Sequence, residues 1–267
     1  MVILKEILKK VSLLILICFS FFYTEKVINY INHSSNLMKK IESIKSEYKI
    51  EEVNGYIEDD IIIPGIRGRI VNAEKSFNNM KEYNTFIENY IVYDSIMPTI
   101  KLEDNKDKYI ISGNNKKKEV SIILLVDLNN IDKINNIKNI TLFFNHNVLT
   151  ISNINKLKNN EIYTYGNNGY YDKSILINDN ALINNLSNNR SIYCLMKEKN
   201  DSLLNLCKDN DMYTIIPTLI GNYNDIKNNI ANGSIILLNN IDNLNNIIKY
   251  INSKGYNIVS LSKLLTE

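Results

Sequence analysis

Apolar positions fall into three regimes along the chain. The first is continuous: Val11 to Tyr23 (VSLLILICFSFFY) carries no charge, with Lys5, Lys9 and Lys10 before it and Glu25-Lys26 after it. The second is a stripe. Val27, Ile31, Met38, Ile41, Ile44 and Tyr48 lie mostly three or four apart, which predicts a helical stalk over residues 25–52. The third begins at Lys116. Val120–Val126, Ile140–His146, Glu161–Tyr165, Ser191–Met196, Met212–Ile216, Ser234–Leu238 and Asn257–Ser260 are short β-branched and aromatic runs. Between them lie Asn- and Lys-rich stretches with helical spacing, such as Ile241, Leu244, Ile247, Ile248 and Ile251. Continuous apolar strands alternating with helices predict a parallel sheet covered on both faces. Seven such units over residues 116–267 suit an incomplete α/β barrel, although periodicity alone leaves a doubly wound open sheet as an alternative.

Residues 53–115 follow neither rhythm. Ile61-Ile62-Ile63 runs into Pro64-Gly65-Ile66-Arg67-Gly68, where the proline and glycines mark turns. The pattern predicts a helix over residues 74–89, entered through Asn72 as N-cap, and strands at Tyr90–Tyr93 and Tyr109–Ile111. Pro98 and the charged loop from Glu103 to Lys108 separate the two strands. The expectation is a small α+β connector, with Arg67 and Arg69 as solvated loop charges.

The N-terminal run reads as an address. Thirteen residues fall short of the roughly 20 that a membrane helix needs, but Ile7 and Leu8 extend the span while Lys9 and Lys10 reach back to the interface. A cleaved signal peptide has an apolar region of similar length. No small-x-small site follows Ser20, so an uncleaved anchor over residues 1–24 is the preferred reading. Lipid attachment at Cys18 is disfavoured because Ile17 precedes it. The basic flank stays inside, which turns residues 25–267 outward.

Composition narrows the field. The 267 residues carry 31 basic and 29 acidic side chains, a formal net charge of +2, so no basic surface recommends a nucleic-acid partner. Asn, Ile, Lys and Tyr are abundant while Trp is absent, a bias expected of an AT-rich genome that leaves Asn pairs with little functional meaning.

The last stretch decides between barrel and open sheet. Asn232-Gly233-Ser234-Ile235-Ile236-Leu237-Leu238, a helix over 244–251, then Lys254-Gly255-Tyr256-Asn257-Ile258-Val259-Ser260-Leu261 and Leu264 are similar to the C-terminus of the polysaccharide deacetylase (NodB-homology) family. That family ends in G-S-I-I-L-L-H, a helix, and K-G-Y-x-x-V-x-L-x-x-L. Upstream, Thr141-Leu142-Phe143-Phe144 resembles the family's A-T-F-F strand, and Val120-Ser121-Ile122-Ile123 sits where its first strand opens. The resemblance covers residues 116–265 and implies a distorted (β/α) barrel of about seven strands, with chemistry at the C-terminal ends of the strands.

Carried across, the family's site is missing its working groups. Its first strand ends in T-F-D-D-G, one Asp as base and one as metal ligand; the matching residues here are Ile123, Leu124, Leu125 and Val126. Asp127 is adjacent but expected to point to the opposite side of a regular strand. Where two metal-binding histidines belong, the chain has Tyr165-Gly166-Asn167-Asn168-Gly169-Tyr170. Cys194-Leu195-Met196-Lys197-Glu198 replaces R-x-P-x-G, and Asn239 replaces the last histidine. The chain has only two histidines, and His33 lies in the stalk, so an Asp-His-His metal site cannot be assembled from one chain. No catalytic residue, metal or cofactor is therefore expected.

Asp127, His146, Tyr165 and Asn239 remain as candidate binding residues at the barrel mouth, and Tyr163, Tyr165, Tyr170, Tyr171 and Tyr193 as surfaces for sugar stacking. Outside the membrane Cys194 and Cys207 could join in a disulfide. The functional expectation is a membrane-anchored, outward-facing, inactive deacetylase relative that binds cell-wall glycan or an envelope protein. The alternatives are a cryptic carbohydrate hydrolase with a reorganised site and a structural subunit of an envelope complex.

Overall fold

The structure, a computed structural model, describes residues 2–134 and 137–267, with the side chains of 2–9 and 29–34 excluded. The roles expected of Ile7, Leu8, Lys9, Ile31 and His33 lie outside the described residues. The chain divides into two compact units, one of residues 1–51 and 68–96, the other of residues 52–67 and 97–267. The segment read as one connector, 53–115, is thus shared between them.

In the smaller unit, α1 (Val2–Ser34) is a single helix. Its stretch Lys10–Ile28, nineteen residues and none of them buried, is long and apolar enough to cross a membrane. At 1.5 Å per residue it spans about 28 Å, close to the ~30 Å hydrocarbon thickness. Ser35 interrupts the predicted stripe: its Oγ accepts a hydrogen bond from Met38 N at 3.1 Å and caps α2 (Asn36–Ile44). In the larger unit lie β1 (Tyr56–Glu58) and β2 (Ile61–Ile63). The smaller unit continues with β3 (Gly68–Val71), α3 (Ala73–Met80) and β4 (Tyr93–Ile96), the two strands pairing antiparallel. Leu37, Met38 and Ile41 pack with Val71, Phe77 and Met80 in its core.

Asn72 caps α3 as expected, accepting from Lys75 N at 2.8 Å, but the helix ends at Met80 rather than at 89. Lys81 to Asn84 are exposed, so no apolar face sustains another turn, and Asn84 takes a left-handed φ of 48°. The strand expected at Tyr90–Tyr93 is displaced to β4, because antiparallel register sets Val71 opposite Tyr93 and Gly68 opposite Ile96.

The larger unit contains β5 (Tyr109–Ile110), β6 (Glu119–Val126), β7 (Thr141–Phe144), α4 (Ile151–Leu157), β8 (Glu161–Thr164), α5 (Lys173–Leu186), β9 (Tyr193–Leu195), α6 (Asp201–Asp209), β10 (Tyr213–Ile215), β11 (Leu219–Gly221), α7 (Tyr223–Asn229), β12 (Ile235–Leu238), α8 (Leu244–Ser253), β13 (Asn257–Ile258) and α9 (Leu261–Leu265). All seven predicted strands are present, mostly a residue or two shorter. Two sheets form the wall, in the orders β11-β12-β6-β7-β8 and β1-β2-β5-β10-β9, with β13 beside the start of β6. Apart from the β1–β2 hairpin every pairing in them is parallel.

Side chains stitch the sheets together. At the β8–β9 seam the buried Tyr171 hydroxyl donates to Thr164 O (3.1 Å) and accepts from Leu195 N (3.2 Å). At the other seam, where the chain runs from β10 into β11, Thr218 Oγ1 donates to Ile111 O and accepts from Ile235 N. The result is a distorted barrel.

Alternation along the strands sorts two cores. Ile123, Phe143, Tyr163, Leu195, Ile215, Ile235 and Leu237 fill the interior. Ile122, Leu124, Leu142, Phe144, Ile162, Ile236 and Leu238 face α4, α5, α7 and α8 outside. Gly255, with φ 76°, ends α8 where a side chain would strain the backbone.

Candidate functional site

The C-terminal ends of β6, β9 and β12 surround a cavity of about 140 Å³. Leu125 and Leu237, on the inward side of their strands, form an apolar floor. Asp127, Asn130, Lys197, Asn239 and Asn240 supply its polar groups. Asp127 lines this cavity, contrary to the opposite-side expectation, because β6 ends at Val126 and the chain turns there. Its Oδ1 accepts from the backbone N–H groups of Asn129 (2.8 Å) and Asn130 (3.1 Å), and Asn130 Nδ2 donates to Leu125 O at 2.7 Å. The carboxylate thus holds its own loop. Asn239 is exposed, its backbone N donating to Gly221 O at 3.2 Å, which leaves the side chain to the cavity.

The other two candidates do not line this cavity. His146 follows β7 in a short 3-10 turn, and its Nδ1 lies 2.8 Å from Oδ1 of Asp179 on α5. Asp179 is buried, and its Oδ2 accepts from Thr164 Oγ1 at 2.6 Å. A buried carboxylate is held only with such partners, so the imidazole joins the end of β7 to β8 and α5. Tyr165 is 7% exposed and belongs to the interior core; burial raises its phenol pKa.

The stacking surfaces need a similar correction. Tyr163, Tyr165, Tyr171 and Tyr193 are buried, and burial pushes all four hydroxyls above the ordinary tyrosine range. Tyr163 and Tyr193 are interior packing, with ring centroids 5.1 Å apart. Only Tyr170 of the five is an exposed ring, at 66%.

The mouth residues not singled out as binding candidates are Lys197, Asn130 and Asn240. Their signal is position alone, two to four residues beyond the end of an inner strand. Among the described residues, no three His, Cys, Asp or Glu side chains come together as a metal cluster. Cys194 at the β9 seam and Cys207 on α6 are disulfide-bonded, with Cα atoms 6.4 Å apart. Both are fully buried.

This architecture can be set beside known proteins. No family model matches the chain. It has the fold of the CE4 family of polysaccharide deacetylases, the barrel that the sequence resemblance implied. In particular it is similar to BA3943, a CE4 family pseudoenzyme from Bacillus anthracis: TM-score 0.61 and 21% identity, over 88% of this chain and 96% of that one. A BA3943 mutant with restored enzymatic activity superposes with TM-score 0.60 over 87% of this chain and 99% of its own. An 81-residue stretch is 33% identical to the uncharacterized protein YlxY of Bacillus subtilis (strain 168). That match spans 30% of this chain and only a quarter (25%) of the relative's length.

Proposed function

We propose that the chain is a membrane-anchored, outward-facing deacetylase relative that has lost its chemistry and uses the barrel mouth to hold an envelope glycan or another envelope protein. The observation carrying this reading is the mouth itself: an apolar Leu125–Leu237 floor ringed by amides, the Lys197 ammonium and the Asp127 carboxylate. The catalytic zinc sites of hydrolases take about three protein ligands plus water, and by the sequence resemblance Leu125, Val126, Asn167 and Asn239 fall where the family's working groups would be. A cavity of about 140 Å³ is below the roughly 300–1,000 Å³ of most ligand pockets. It suits one substituent of a sugar rather than a whole ring. The fold shared with a pseudoenzyme supports the inactive reading, and α1 supports the anchor. The basic N-terminal flank supports the outward orientation.

Elemental analysis of the purified full chain tests the loss of chemistry. The expected result is no stoichiometric zinc, cobalt or nickel and no acetate release from N-acetylated oligosaccharides. About one metal per chain overturns the proposal. A second reading, a cryptic hydrolase, is favoured by the His146–Asp179–Thr164 arrangement, which orients an imidazole as a general base requires. Acetate release that disappears in His146→Ala decides for it.

A further inference from the structure

A larger concavity lies on the outside of the barrel. Between α7 and α8 a groove of about 810 Å³ opens, lined chiefly by Tyr223, Asn224, Asn243, Asn246, Lys249 and Tyr250. We propose that this groove is a second binding site, separate from the barrel mouth, for a neutral, hydroxyl-rich saccharide. The inference does not depend on what the mouth binds.

Three features support this ligand class. The volume falls within the roughly 300–1,000 Å³ of small-molecule sites, large enough for sugar rings. The amides of Asn224, Asn243 and Asn246 are exposed and make no hydrogen bond among the described residues. Each offers two donors and an acceptor, matching hydroxyls that both give and take hydrogen bonds. The tyrosines add aromatic surface for the C–H faces of a sugar. Their rings meet edge to face at 5.7 Å, and the Tyr250 hydroxyl donates to Lys227 O at 3.0 Å. Lys254 Nζ sits 5.6 Å over the Tyr250 ring. A ring held in this way loses little conformational freedom on binding.

Charge argues against other classes. Lys249 is the one ammonium in the lining among the described residues, and no carboxylate joins it. Asp225 is turned to the Asn222 backbone N–H (2.8 Å), and Asp242 faces Lys133 (3.8 Å). A cation would find no counter-charge, and a phosphate would lack the clustered guanidinium or ammonium groups that hold one.

The test titrates cellotetraose and the tetramer of N-acetylglucosamine into the full chain in a detergent without sugar headgroups, read by calorimetry. Millimolar binding of at least one is expected. An Asn224→Ala/Asn246→Ala variant, which keeps both tyrosines and the Lys227 hydrogen bond, should weaken it at least about tenfold, or 1.4 kcal/mol, with an unchanged circular dichroism melt. That loss supports the proposal whatever a Lys197→Ala change at the mouth does. Two results overturn it: binding of neither tetrasaccharide, or binding that the amide variant leaves intact. Sensitivity to Lys197→Ala alone would place the sugar at the mouth and leave the groove without a ligand.

Discussion

The two ends of the barrel use their polar groups in opposite ways. At the N-terminal ends of the strands, α9 inserts Leu261, Leu264 and Leu265 into the interior core. Carboxylates there fasten backbone: Glu267 accepts from Leu102 N (3.0 Å) and Gly65 N (3.2 Å), and Glu161 accepts from Ser262 N (3.1 Å) and from its hydroxyl. Leu261 N finds Thr141 Oγ1 at 2.9 Å. At the C-terminal ends Asp127 and Asn130 hold their own loop, but the side chains of Lys197, Asn239 and Asn240 border a small cavity without a hydrogen bond among the described residues. One end is built to exclude water, and the other leaves hydrogen-bonding capacity unspent. Stability should therefore depend on the first and recognition on the second.

The largest expected break comes from removing the plug. Truncation after Asn252 deletes β13 and α9 and exposes the interior core. Burial of each leucine is worth about 1.5–3 kcal/mol, and whole domains hold only about 5–15. The truncated protein should be insoluble or rapidly cleaved in limited proteolysis. A soluble, protease-resistant product would mean that the closed end is dispensable.

Next comes the seam. Tyr171→Phe keeps the ring but removes the hydroxyl that joins β8 to β9, leaving Leu195 N without that acceptor. A buried unsatisfied group costs about 1–3 kcal/mol, to be read from urea midpoints by circular dichroism. An unchanged midpoint would show that packing alone closes the barrel there.

The smallest effect belongs to the mouth. Asn239→Ala should cost under about 1 kcal/mol, as for most exposed substitutions. If its thermal melt falls further than that of Tyr171→Phe, the mouth is a structural element and the contrast between the ends fails.

Much of this is legible in the sequence. Ile235 to Leu238 announced a doubly covered strand, and Gly255 marked the end of α8, because burial on both faces and a left-handed backbone each leave a local signature. The end of α3 is not legible there, since Lys81 to Asn84 are fair helix residues that stay exposed, with Tyr83 packing only against Tyr90. The roles of His146 and the tyrosines were hidden for a related reason. Asp179 lies 33 residues from His146, and only the assembled β7–β8–α5 corner brings the two together. Tyr163 and Tyr170 look alike in sequence, yet one is 1% and the other 66% exposed. The free amides of the α7–α8 groove could not be told from an Asn-rich background until two helices enclosed them.

Gly233 marks a point just before β12 where two stretches of backbone touch. Its φ is 81°, and a Cβ there would come within 2.3 Å of Gly113 O, whose own N–H donates to Gly233 O at 2.8 Å. Only glycine tolerates that crossing. The sequence around it records assembly rather than chemistry, a steric watermark set by backbone contact alone.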